Sequence, residues 1–261
     1  MSNLAEKTVQ LMAGSNSLIP NEVASASVTQ LYGQPDFGTN YETLNFEEGQ
    51  LIFKENEAPK GLYLLKSGCV KLFVNRDNSR GRTTSPEYVT KLVSAGELFG
   101  YKSLVLGQNS QSYAKVVRKA MVWLYPKESI TRLLAQMNPI MKSVMEQAVN
   151  DNLSYEKTNQ FHYLASVQER IAYQLVTLAD RFGVKTSRGL SLNLKLTRNE
   201  FAQLASTINE SLSRHLTEFK AEGLIDLNGK EIIIIEREKL FAKSGYTTGV
   251  EYTETVQHQD L

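Results

Sequence analysis

The stretch "TRNEFAQLASTINESLSRHLTEFKAEGLI", residues 197–225, decides the fold of the C-terminal third of the chain. Its apolar residues recur every three or four positions, which predicts two helices with a break near Thr207. Four polar residues lie off the apolar face of the second helix: Asn209, Glu210, Ser213 and Arg214. A short polar set on a packed helix matches the donors and acceptors of a DNA major groove. The second helix is therefore predicted to read DNA.

The residues on either side of this stretch extend the pattern to a complete domain. Before it, "VQERIAYQLVTLADRFG" predicts an amphipathic helix that Gly183 stops. After it, Asn228-Gly229 stands between two apolar runs, which is a strong hairpin signal. Three helices followed by a hairpin predict a winged helix-turn-helix over residues 165–244, with a flexible polar tail over 245–261.

A different pattern runs from residue 43 to about residue 125. Short apolar runs such as "GLYLL" and "CVKLFV" alternate with Gly and Pro, which predicts many short strands. Gly68 separates two of these runs and is expected in a turn, together with the lone cysteine, Cys69. We therefore predict a β-roll or sandwich over residues 41–135, preceded by a polar N-terminal extension over 1–40.

Residues 127–182 are predicted to be helical, with breaks after Asn138 and near residues 164–166. Within 136–164 a spacing of four and three residues recurs, which fits the seam of a two-stranded coiled coil. The seam consists of Met141, Met145, Ala148, Asn152, Tyr155, Asn159 and His162. The same spacing also fits a helix that packs on its own β-domain, and the sequence leaves both alternatives open.

Composition excludes several classes of function. The 261 residues suffice for two modest domains, each with its own core, and the net charge of +1 favours no class of partner. A single cysteine excludes an internal disulfide and a four-cysteine metal cage. The predicted β-region contains no histidine, so we expect no metal, no cofactor and no enzyme activity. Without a signal peptide or an 18-residue apolar run, the protein is expected to be cytoplasmic, with no membrane partner.

These motifs resemble the CRP/FNR family of bacterial transcription regulators over roughly residues 42–240. The helix-turn-helix stretch aligns without gaps, "GELFGYKSLVLGQNSQSYAKV" (96–116) is similar to the family's phosphate-binding cassette, and "FEEGQLIFKENEAPKGLYLLKSGCVKLF" (46–73) places glycines at the family's turns. The resemblance implies an α+β fold: an N-terminal β-roll (a cyclic-nucleotide-binding-like jelly roll), a long dimerisation helix and a C-terminal winged helix-turn-helix. It implies double-stranded DNA, a second copy of the chain and RNA polymerase as partners.

The resemblance also assigns roles on the DNA-reading helix. Glu210, Ser213 and Arg214 reproduce the family's Glu-x-x-Ser-Arg pattern. Arg214 can donate two hydrogen bonds to guanine, Glu210 can accept one from cytosine, and Ser213 is small enough to approach a base edge. Asn209 stands where cyclic-AMP receptors have Arg, which implies a palindrome of TTGA-like half-sites. Thr197 and Arg198, at the start of the preceding helix, are expected to contact phosphate.

The sensor cassette departs from the family pattern. It comprises Gly96, Glu97, Gly100, Tyr101, Gln111 and Ser112. Tyr101 stands at the position of the ribose-binding Glu and Gln111 at that of the phosphate-binding Arg, so only Ser112 is retained. Burying a phosphate without a cation costs several kcal/mol, so standard cAMP binding is not expected. The β-roll is then a degenerate scaffold, or it takes another ligand such as a cyclic dinucleotide. A winged helix can also serve as a protein-interaction module.

Two further features have less specific interpretations. His162, at the end of the long helix, is expected at an interface or hinge, and His215 is expected to pack or to contact phosphate. The loop "RDNSRGR" (76–82) carries three arginines and either binds an anion or is solvated.

Overall fold

The computed structural model describes residues 40–75, 87–134, 139–192, 194–229 and 231–246. Residues 1–39, the arginine loop 76–82 and the tail beyond 246 lie outside the described residues, and so do the predictions made for them.

The N-terminal domain is an antiparallel β-roll, as predicted. Its main sheet has the order β1-β6-β3-β4, while β2 pairs with β6 and β5 pairs with β3. Its core is aliphatic and aromatic and includes Leu65, Val70 and Phe99. The strands are β1 (Glu42–Phe46), β2 (Leu51–Phe53), β3 (Gly61–Asn75), β4 (Glu87–Val93), β5 (Leu98–Phe99) and β6 (Tyr113–Pro126).

Gly68 lies inside strand β3 and not in a turn, which corrects the sequence prediction. The two apolar runs around it form one strand of 15 residues, interrupted where the register against β6 shifts around Ser67 and Cys69. Gly68 has φ 96°, and a Cβ there would lie 2.2 Å from the carbonyl oxygen of Lys119. Gly68 therefore marks a bulge in the strand. A bulge and a turn give the same sequence signal, because both require a residue that tolerates positive φ and close backbone approach.

Among the residues that the structure describes, three helices occupy the centre of the chain and a short one lies in the roll. The predicted break near residues 164–166 is confirmed, whereas residues 135–138, at the other predicted break, lie outside the described residues. Ser166 caps the third central helix with a capping box to Glu169. The helices are α1 (Tyr101–Leu106), α2 (Lys127–Leu134), α3 (Pro139–Leu164) and α4 (Val167–Phe182).

The C-terminal domain is the predicted winged helix-turn-helix, with a hairpin and a short last helix that the sequence did not predict. The hairpin at Asn228-Gly229 is confirmed, since Asn228 pairs with Glu231. A second hairpin, β7–β8, precedes the helix pair and completes a sheet of order β7-β8-β10-β9. The elements are β7 (Val184–Thr186), β8 (Gly189–Leu192), α5 (Arg198–Leu204), α6 (Asn209–Ala221), β9 (Ile225–Asn228), β10 (Glu231–Ile234) and α7 (Arg237–Lys243).

The two domains share a hydrophobic core. Cys69, Val89, Leu92 and Val117 of the β-roll belong to the same buried cluster as the apolar faces of α4, α5 and α6. The roll also has a buried cluster of its own around Leu65, Val70 and Phe99, so each domain has a core, and the core of the C-terminal domain extends onto one apolar face of the roll. Within the described residues, no helix has the length and apolar character needed to cross a membrane.

Candidate functional site

Helix α6 presents its polar residues outward on a firmly anchored backbone. Leu212, Leu216 and Phe219 are no more than 2 % exposed and hold the helix against the domain core. The four residues predicted to read bases, Asn209, Glu210, Ser213 and Arg214, are all exposed. Sequence spacing thus placed these residues on the correct faces, whereas Ile208, which it counted among the apolar positions, is 64 % exposed.

The side chain of Arg214 is only loosely held within the chain. Its Nε lies 3.9 Å from Glu218 Oε1, and the side chain is 65 % exposed. Glu218 also accepts from His215, since its Oε2 lies 2.7 Å from His215 Nδ1. The side chain of His215, only 12 % exposed, is therefore engaged by Glu218 within α6, and the guanidinium of Arg214 retains donors for an external acceptor.

The start of α5 is fixed by a capping box. Thr197 Oγ1 accepts from the backbone N–H of Glu200 at 3.2 Å, and Glu200 Oε2 accepts from the N–H of Thr197 at 2.7 Å. Arg198 is half-buried, and its Nη2 lies 3.5 Å from the carbonyl oxygen of Gly229. Burial lowers the pKa of Arg198. The two predicted phosphate residues therefore lie beside the turn of the wing.

The turn between α5 and α6 is held by two other helices. Ser206 has φ 47°, which is uncommon for a residue with a side chain. Arg170, in the first turn of α4, donates to the carbonyl oxygens of Ala205 at 3.2 Å and of Ser206 at 3.1 Å. His162 Nδ1, at the end of α3, lies 2.8 Å from Ser206 Oγ. His162 thus lies at an interface between α3 and the helix-turn-helix.

The β-roll contains a cavity of about 210 Å³ between the sheet, α1 and α3. Of the predicted cassette, Gly100, Tyr101, Gln111 and Ser112 line it, together with apolar side chains such as Phe53. Gly96 and Glu97 are not among the lining residues: Gly96 donates its N–H to Leu65 in a turn at 2.6 Å. Gln111 is exposed and donates to Gln108 at 3.2 Å.

Tyr101 connects the cassette to the long helix. Its hydroxyl donates to Asp151 Oδ2 of α3 at 2.8 Å, and its side chain is buried. Burial and the neighbouring Asp151 carboxylate raise the pKa of Tyr101. Lys91 pairs with Asp151 Oδ1 at 2.6 Å from the opposite side. The polar groups at this end of the cavity therefore already have hydrogen-bond and ion-pair partners within the chain.

The same network continues into the DNA-binding domain through Glu97. Its Oε2 lies 3.2 Å from Lys91 Nζ, and its Oε1 accepts from Arg181 of α4 at 2.7 Å. Arg181 also donates to the carbonyl oxygen of Leu92 at 2.9 Å. Sequence analysis missed Lys91, Asp151 and Arg181, because no local motif pairs residues this far apart. In the described part of the chain, no three His, Cys, Asp or Glu side chains are grouped to hold a metal ion.

A β-roll with an internal cavity, joined by a long helix to an outward-facing recognition helix, defines a DNA-binding transcription regulator with a sensor-like domain. Family models agree with this division: the cyclic nucleotide-binding domain matches residues 43–137, and the Crp-like helix-turn-helix domain matches residues 169–242. The chain belongs to the CRP/FNR family of transcription regulators.

Individual relatives match most of the chain at low identity. Electron transport regulator A of Shewanella oneidensis is 26 % identical over 199 residues, which cover 76 % of this chain and 77 % of that protein. The fumarate and nitrate reduction regulatory protein of Escherichia coli K12 is 24 % identical over 204 residues, covering 78 % and 79 % respectively. A CRP/FNR-family regulator from Thermus thermophilus has a similar fold, with a TM-score of 0.65 at 18 % identity, covering 78 % of this chain and 99 % of that one.

Proposed function

We propose that the protein acts as a homodimer on palindromic DNA with TTGA-like half-sites, and that its β-roll does not bind cAMP in the standard way. The observation that carries the proposal is the exposed set of Glu210, Ser213 and Arg214 on a helix whose other face is fully buried. RNA polymerase is a further partner that membership of the family supports.

The chemistry of α6 supports direct reading of a G·C pair. Arg214, with its loose contact to Glu218, is available for the bidentate bond to guanine O6 and N7. Glu210 is exposed one helical turn earlier and can accept from the N4 of a cytosine. Thr197 and Arg198, beside the wing, can hold the flanking phosphates and set the register of the helix in the groove.

The exposed face of α3 supports dimerisation, but along a seam displaced from the predicted one. Tyr155 and His162 belong to the predicted seam, yet they bond within the chain, to the carbonyl oxygen of Thr90 at 3.0 Å and to Ser206. Met145 and Val149 are 55 % and 56 % exposed. A spacing of four and three residues through them gives the proposed seam: Met145, Val149, Asn152, Glu156, Asn159 and Tyr163, all exposed.

Both alternatives left open for α3 are then compatible with one another. The face opposite the seam packs on the chain's own roll, where Val144, Gln147 and the partly buried Asp151 lie. The seam itself is free for a second copy of the helix. Two parallel copies would place the recognition helices about one DNA turn apart, roughly 34 Å, as a palindrome requires.

The internal contacts of the cavity support a degenerate sensor. Tyr101 bonds to Asp151, and the charge of Lys91 is shared between Asp151 and Glu97. A phosphate entering the cavity would have to compete with two carboxylates for Lys91. Gln111 carries no charge to replace the missing Arg. The cavity of about 210 Å³ is also smaller than the roughly 300–1,000 Å³ of typical ligand sites.

That cavity nevertheless favours one second candidate, a regulator with a ligand other than cAMP. Ser112 and the exposed Lys102 line its mouth, so a hydroxyl and an ammonium group are available to a small anion. Calorimetric titration with cAMP, cGMP and cyclic dinucleotides distinguishes the candidates. No heat with any of them supports the degenerate scaffold. Micromolar cAMP binding that Ser112→Ala removes would contradict it.

Selection of bound sequences from random duplex DNA tests the DNA-binding proposal. The selected duplexes should share an inverted repeat of TTGA-like half-sites whose centres are about ten base pairs apart. Glu210→Ala should relax selection at one base pair of each half-site, because only its partner base loses an acceptor. Selection of direct repeats, single half-sites or no consensus would refute the proposal.

A further inference from the structure

Ile208 is an exposed apolar side chain at the tip of the recognition helix. It is 64 % exposed, whereas Leu212, Leu216 and Phe219 of the same helix are buried. Its carbonyl oxygen accepts the first helical hydrogen bond, from the N–H of Leu212 at 3.0 Å. It is the N-cap residue of α6 and directly precedes the exposed Asn209 and Glu210.

An isoleucine is a poor choice for this position on stability grounds. N-cap positions favour Ser, Thr, Asn and Asp, whose oxygen accepts from a free N–H of the first turn. The chain uses that device at α4, with Ser166 and Glu169, and at α5, with Thr197 and Glu200. At α6 no side chain makes the capping hydrogen bond. Ile208 therefore weakens the helix start and also exposes apolar surface.

When the helix is bound to DNA, an apolar side chain at the position of Ile208 would have an apolar partner. The N-terminal residues of a recognition helix approach base edges, and the thymine C5-methyl group is the apolar feature of the major groove. We propose that Ile208 is a specificity-determining residue that packs against a thymine methyl group in each half-site. This inference rests on the proposed DNA-binding function and deepens it. It assigns thymine selection to Ile208 and guanine selection to Arg214.

Deoxyuridine substitution tests the inference, because it removes the methyl group and leaves base pairing intact. The probe is a duplex with an inverted repeat of TTGA half-sites, in which each thymine is replaced by deoxyuridine in turn, symmetrically in both half-sites. Burial of one methyl group is worth about a fourfold change in a binding constant, so a loss of about fifteenfold is expected for the dimer, which loses one methyl contact in each half-site. The wild-type protein should show this loss at one thymine position.

Ile208→Ser is the variant matched to the deoxyuridine probe, since it removes the apolar side chain from the protein and introduces a hydroxyl that can cap the helix. It should bind the thymine duplex about fifteenfold more weakly than wild type and show no further loss with deoxyuridine. Its Tm should rise by a few degrees, because a Ser N-cap stabilises the helix start. Ile208→Val should retain most of the discrimination.

The outcomes separate this inference from the function on which it rests. Sequence-specific binding with an equal deoxyuridine effect in wild type and Ile208→Ser, or with no effect in wild type, would overturn the role of Ile208 alone. Absence of sequence-specific binding would overturn both.

Discussion

Arg214 and Arg198 differ in environment, and the difference predicts different roles. Arg214 is mounted on the outer face of α6 with one contact at 3.9 Å, whereas Arg198 is half-buried beside the wing turn. An exposed guanidinium can align with a base edge, while a guanidinium held at the start of a helix can neutralise a phosphate. Arg214 is therefore assigned to sequence and Arg198 to general affinity.

Substitution of each arginine by alanine separates the two roles. Arg214→Ala should lose about 1–3 kcal/mol of discrimination per half-site, because the bidentate bond to guanine disappears. Arg198→Ala should weaken binding to all sequences alike and reduce the salt dependence of the binding constant. Titrations of matched and mismatched duplexes at several salt concentrations measure both effects. Equal changes in specificity for the two variants would contradict the assignment.

Cys69 is expected to be chemically inert in the folded protein. It has no exposed surface, and burial raises the pKa of its thiol to about 12. Alkylation at pH 8 should therefore be slow until denaturant is added, since the thiolate is the reactive form. The neutral thiol stabilises the fold below pH 9, and this contribution is lost as the pH rises from 9 toward 12. Rapid alkylation of the native protein would show that the reagent reaches Cys69 in the folded state and would contradict this prediction.

At the scale of elements, helix α3 carries the proposed dimer interface. Val149→Asp places a charge in the centre of the exposed stripe and should give monomers that lose specific DNA binding. Tyr155→Phe is the control, because that residue bonds to the roll at Thr90 and lies off the proposed seam. Sedimentation velocity should show dimers for wild type and Tyr155→Phe. A dimeric Val149→Asp would place the interface elsewhere.

Sequence periodicity predicted α3 and α6 because each has a buried and an exposed face, but it placed the seam of α3 imprecisely. Two stripes of residues that lie about 40° apart around a helix both repeat with a spacing of four and three residues, so spacing alone does not distinguish them. The contacts of Tyr155 and His162 within the chain show that part of the predicted stripe is already occupied. Gly68 was assigned to a turn because a bulge and a turn both need a residue with positive φ. The β7–β8 hairpin was missed because its turn, Ser187-Arg188, lacks the Asn-Gly signal that marked the β9–β10 hairpin.

At the scale of the whole molecule, a buried ion pair joins the two domains. Lys71 of β3 contacts Glu200 of α5, and both side chains are 6 % exposed. Glu200 also caps α5, and Lys71 pairs with Glu87 of β4. The orientation of the helix-turn-helix relative to the roll therefore depends on contacts between residues 129 positions apart, which sequence reasoning could not pair.

A double-mutant cycle measures this coupling. Lys71→Met should destabilise the protein by about 3 kcal/mol, because it leaves the buried carboxylate of Glu200 without a cation, and Glu200→Gln should destabilise it less, because Lys71 keeps its pair with Glu87. The double variant should lose less than the sum, in urea unfolding. The pair Lys119–Glu47 is the control: its side chains are 70 % and 66 % exposed, so no coupling should be resolved. Additive effects at Lys71 and Glu200 would show that the domains are not joined there.

The stoichiometry of the protein–DNA complex tests the central claim most directly. Sedimentation of the protein with a duplex carrying two inverted TTGA-like half-sites, centred about ten base pairs apart, should give two chains of 29.3 kDa per duplex. A duplex with one half-site scrambled should bind far more weakly at the same salt concentration. One chain per duplex, or equal affinity for the intact and scrambled duplexes, would contradict the account.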